Sequence, residues 1–146
     1  MRLVFAAAAA VIGTGLAISA APVPKDKTTA EKLVGTWKLV KSSQGTPDDV
    51  TFLVTFSDKG EMTLKVEPKD KDAEAITLKG KYKLVDADKK GEEKIDYEMD
   101  NGTGGKKQEV LKIKKLTDDE LVTTDPEDIK EEFKRVKEKK KDEDKK

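Results

Sequence analysis

The chain has 146 residues, 30 of them basic and 30 acidic, so a sequence that is 41% charged is formally neutral. That length holds one domain, and the absence of a basic excess argues against a nucleic-acid partner. Histidine and cysteine are both absent, which excludes disulfides, thiol chemistry, imidazole metal ligands and histidine acid–base catalysis.

Taken in order, Met1-Arg2 supplies one positive charge and residues 3–20 carry none. The run ends in Ile18-Ser19-Ala20-Ala21, small residues of the kind a signal peptidase accepts, followed by Pro22 and Pro24. Residues 1–20 read as a secretory signal peptide cut near Ala20, with Ser19 as the alternative. The mature chain is then expected to be secreted or periplasmic, without a stable membrane span. An uncleaved anchor is the competing reading, weakened by the alanines and by Gly13 and Gly15. Residues 21–31, with two prolines, read as a polar linker.

The domain proper is expected over 32–137, and it opens on the only tryptophan. In Leu33-Val34-Gly35-Thr36-Trp37-Lys38-Leu39-Val40, period 2 puts Leu33, Gly35, Trp37 and Leu39 on one face, a half-buried strand. The glycine leaves room for something to pack beside the indole. A turn-rich stretch leads to strand two, with Val50, Phe52, Val54 and Phe56 on one face. Ser57-Asp58-Lys59-Gly60 is a hairpin loop. Strand three turns Met62, Leu64 and Val66 inward, and strand four, 75–85, does so with Ile76, Leu78, Tyr82 and Leu84. Strand five alternates Ile95, Tyr97 and Met99 with acids, and Asn101-Gly102-Thr103-Gly104-Gly105 is the strongest turn signal present.

Strand six, about 108–116, has Leu111 and Ile113 inward, its alternation blurred by Val110 and Leu116. A short seventh strand covers Glu120 to Thr124. Asp125-Pro126-Glu127-Asp128 reads as a helix start, and Ile129, Phe133 and Val136 fit a helical stripe. Residues 131–137 also alternate, with Phe133 and Arg135 on one face. An eighth strand is preferred because it removes the edges of a long meander. Residues 138–146 form a charged tail expected to be disordered. The fold class predicted is all-β, a small eight-stranded antiparallel up-and-down barrel with roughly twenty large apolar side chains inward.

Gly35-Thr36-Trp37 resembles the G-x-W signature of lipocalins and their calycin relatives. Gly35-Thr36-Trp37-Lys38-Leu39-Val40 is similar to the first strand of fatty-acid-binding proteins. The whole plan resembles small secreted bacterial lipocalin-like domains of unknown function, including planctomycete paralogous families. The resemblance implies that Trp37 packs at the closed end of the barrel beneath an arginine from near the chain end, matched here by Arg135 in Phe133-Lys134-Arg135. Residues 42–49 are too short for the helical lid of fatty-acid-binding proteins, and no internal arginine–tyrosine clamp maps onto the chain, so a fatty-acid carrier is not implied.

Chemistry is sparse. Asp86-Ala87-Asp88-Lys89-Lys90-Gly91 resembles half of an EF-hand loop, but Lys90 and Tyr97 stand where calcium needs oxygen ligands. No metal or other cofactor is expected. Serines number four and no base accompanies them, so an enzyme is not expected either. Asn101-Gly102-Thr103 matches a glycosylation sequon that a hairpin turn explains better. Tyr82 and Tyr97 face inward either as packed core or as the wall of a pocket.

The leading expectation is a monomeric, non-enzymatic carrier of a small apolar or amphipathic ligand, with Phe52, Phe56, Leu64, Tyr82, Tyr97 and Met99 lining the cavity. Trp37 would then lie at the cavity floor and report binding. Affinity would be weak, about micromolar, because the interior shows no charged group to hold a headgroup. The alternative is a filled barrel serving as an envelope or extracellular interaction module.

Overall fold

The computed structural model describes residues 27–70, 72–86 and 91–137. The expected signal peptide at 1–20, the start of the expected linker, the centre of the 86–91 turn and the 138–146 tail lie outside the described residues.

Among the described residues, eight strands follow one short helix: α1 Thr29–Leu33, β1 Gly35–Ser42, β2 Val50–Phe56, β3 Glu61–Pro68, β4 Ile76–Val85, β5 Lys94–Asp100, β6 Lys106–Leu116, β7 Glu120–Thr124 and β8 Lys130–Arg135. Each strand pairs antiparallel with its chain neighbour, and β8 returns to β1, closing an up-and-down barrel without an edge. α1 and the β2–β3, β4–β5 and β6–β7 connections gather at one end. The other four connections gather at the opposite end.

The structure differs from the sequence reading at the start of the domain. Leu33 is not the first inward residue of a strand; it ends α1 and is completely buried. The helix forms because Thr28 and Glu31 build a capping box: Thr28 Oγ1 accepts from the Glu31 amide at 3.3 Å and the Glu31 carboxylate from the Thr28 amide at 2.7 Å.

Two irregularities explain patterns that period 2 leaves blurred. A register shift in β6 between Ile113 and Lys115 puts Ile113 opposite Thr123 and Leu116 opposite Leu121, so both apolar residues face inward despite their odd spacing. Val110 stays on the outside, 37% exposed. A second shift in β1 between Leu39 and Lys41 brings Ser42 opposite Glu131. The contested segment forms strand β8, and the helix-start signal has a local use. Asp125 Oδ1 accepts from the amides of Glu127 (2.9 Å) and Ile129 (2.8 Å), a turn that stops at Asp128, where φ is +60°.

The fully buried apolar core is small: Leu33, Trp37, Val54, Phe56, Met62, Ile95, Met99, Leu121 and Phe133. Ile76 faces inward by alternation but stands first in β4 at the rim, and it is 59% exposed. Among the described residues, no helix is long and apolar enough to cross a membrane.

Candidate functional site

The two ends of the barrel are built differently. At the α1 end, Trp37 is completely buried and its Nε1 donates to the Leu33 carbonyl at 2.8 Å. Arg135, paired with Trp37 across β1 and β8, lays its guanidinium 4.2 Å from the indole centroid. The guanidinium also donates to the carbonyls of Val34 (2.6 Å), Lys32 and Asp118. It thereby ties the helix, the β6–β7 turn and the first strand together. Gly35 makes this arrangement sterically available. A Cβ there would stand 2.3 Å from Arg135 Nη1, and the φ of +133° is one that side-chain-bearing residues rarely adopt. Glycine and tryptophan two apart thus serve one guanidinium.

The opposite end holds a cavity of about 390 Å³, within the range of about 300–1,000 Å³ usual for small-molecule sites. Phe52, Phe56, Leu64, Tyr97 and Met99 are among its walls, with Leu111, Leu121 and Phe133. Tyr82 is not. It sits nearer the α1 end, where its hydroxyl donates to the Ser57 carbonyl at 2.7 Å and its ring meets Phe56 edge-on with centroids 5.0 Å apart. The two inward tyrosines therefore divide the two readings, Tyr82 packing the core and Tyr97 lining the pocket. Trp37 is not a wall residue either, while its cross-strand partner Val54 is. The indole, completely buried, is therefore outside the cavity lining rather than at its floor.

The expectation of an uncharged interior is overturned. Lys107, Glu109, Asp125 and Glu131 all line the cavity. Tyr97 donates its hydroxyl to Glu109, and Lys107 Nζ lies 2.6 Å from the same carboxylate. Burial alone would raise the pKa of Glu109, but the bonds from Lys107 and Tyr97 outweigh it and hold the group below the usual carboxylate range. Tyr97 is pushed well above the usual phenol range by burial, by its bond to Glu109 and by the surrounding carboxylates. Glu131 shifts the other way from Glu109. Burial, then the charges of Asp125 and Glu109, raise its pKa, and no cation among the described residues pairs with it.

Directly across from Glu131 stands Thr123, a wall residue only 1% exposed, whose Oγ1 is buried without a hydrogen-bond partner among the described residues. The signal for these groups was present in the sequence. Glu109 has the parity of Leu111, and Glu131 that of Phe133, so alternation alone turns both carboxylates inward. Counting only the apolar residues of each face passes over them.

The chain is similar to a lipocalin-like protein from Bacteroides uniformis, with a TM-score of 0.52 and 22% identity over 72% of this chain and 99% of that one. No protein-family model matches the chain, and no curated protein matches it at a significant level. At that identity the likeness speaks for the fold alone. With eight antiparallel strands closed in chain order around a tryptophan-plugged end, the protein has a lipocalin-like barrel fold.

Proposed function

We propose that this protein is an exported, monomeric, non-enzymatic lipocalin-like domain that holds a small apolar or amphipathic molecule in the open end of its barrel. The observation that carries the reading is the cavity itself, about 390 Å³ with aromatic, leucine and methionine walls. An eight-stranded barrel is wide enough either to be filled by side chains or to hold one small ligand, and a cavity of this size supports the second outcome over a filled interaction module. Uptake of an apolar fluorescent probe by the purified chain tests it. Saturable uptake that is lost in Leu64→Trp, with the thermal transition retained, is the expected result. No uptake by the folded parent chain would return the barrel to the interaction-module class. Export is tested separately by mass spectrometry of the secreted form, which should begin near Ala21 or Ala20. Recovery of the full-length chain in membranes would refute it.

A further inference from the structure

We propose that the cavity selects a monocationic amphiphile, an amine with an apolar body, whose ammonium group is received by Glu131 and the Thr123 hydroxyl. The proposal rests on the reading of the cavity as a ligand site and names the chemistry of its headgroup.

Four observations converge on it. Glu131 and Thr123 are register partners on β8 and β7, so their side chains project side by side from the same inner face. The Thr123 Oγ1 is buried and unpartnered, and such a hydroxyl is costly to leave unmatched and available to accept one N–H. Glu131 has no countercharge among the described residues and is disfavoured as an anion until a cation arrives. Finally, Lys107, the one ammonium on the wall among the described residues, is already engaged by Glu109 at 2.6 Å.

The groups facing Glu131 are therefore Thr123 from β7, Ser42 from β1, Asp125 from the β7–β8 turn, and Tyr97, Lys107 and Glu109 from β5 and β6. Their balance is acidic. An anionic headgroup would meet three carboxylates and one committed lysine, whereas an ammonium would complete both open valences at once. The Thr124 hydroxyl is also unpartnered, but it does not line the cavity. The aromatic, leucine and methionine walls beside these polar groups direct the site toward an organic cation with an apolar body.

Three ligands with the same eight-carbon tail separate headgroup from tail: octylamine, octanol and octanoate, titrated calorimetrically into the full chain at pH 7. Octylamine should bind about tenfold or more tighter than octanol, with octanoate weakest. Glu131→Gln should reduce the amine preference to about threefold or less while leaving octanol binding unchanged, and Thr123→Val should reduce it partially. Glu132→Gln, outside the barrel on the same strand, should leave it intact. At pH values low enough to protonate Glu131 the preference should fade in the parent chain as well. Octanoate binding as tightly as octylamine, or a full amine preference in Glu131→Gln, would overturn the assignment. Octanol binding without any preference for the amine overturns the headgroup assignment but leaves the cavity reading standing. Failure of all three to bind overturns both.

Discussion

The α1 end and the open end of the barrel use the same materials to opposite effect. Each has a charged residue from β8 turned inward, Arg135 at one end and Glu131 at the other, two register steps to either side of Phe133. Arg135 has three backbone carbonyls and an aromatic face as partners. Glu131 has an unpartnered hydroxyl and two further carboxylates nearby. A buried polar group that is fully matched contributes to stability, while one left unmatched costs stability and persists where something outside the chain can match it. The comparison separates the part of the barrel that holds the fold together from the part open to a ligand.

The largest expected effect breaks the matched end. Arg135→Ala removes the stacking over Trp37 and leaves three carbonyls seeking new partners, a loss of about 3 kcal/mol or more. Arg135→Lys should recover only a fraction, since an ammonium cannot present the planar fork. Chemical denaturation of both variants measures this, and a parent-like midpoint for Arg135→Ala would remove the distinction between the ends.

Gly35→Ala should cost about 2–3 kcal/mol through the positive φ and the clash with the guanidinium. Red-shifted Trp37 emission should accompany it, because the indole loses its cover. By contrast, a ligand at the open end should leave Trp37 emission nearly unmoved, since the indole is completely buried and is not among the cavity walls.

A smaller effect is expected at the open end. Thr123→Val replaces an unmatched hydroxyl by a methyl of the same shape, so thermal stability should stay level or rise by about 1 kcal/mol. A loss larger than that would mean Thr123 has a partner within the protein.

The smallest effect carries a sign. Glu131 binds its proton more tightly folded than unfolded, so between the ordinary value of 4.5 and its own higher one the folded state holds more protons. Stability contributed by this group is therefore complete below that window and falls as pH rises through it. Glu131→Gln should raise the melting temperature at pH 7, and the gain should shrink to nothing as the pH falls below 4.5. A destabilised Glu131→Gln at pH 7 would show that the carboxylate is already paired.

Strands and their inward faces were legible from the sequence because side-chain alternation is a local property with a period of 2, and short turn-rich connections suggested neighbouring strands in chain order. The resemblance of Gly35-Thr36-Trp37 to a known first strand implies the pairing of Trp37 with Arg135, and the space for the guanidinium at Gly35 is its steric counterpart. Alternation also marked Glu109 and Glu131 as inward, although it says nothing of depth. Whether an inward residue is core, wall or rim depends on where along the barrel it stands, as Tyr82, Tyr97 and Ile76 show. That position follows from register, and the register of β1 and β6 turns on bulges that no local pattern announces. The cavity, and the meeting of its carboxylates across it, were thus decided by tertiary structure. They depend on how much volume eight closed strands enclose and on which distant side chains closure brings face to face, quantities that no single strand contains.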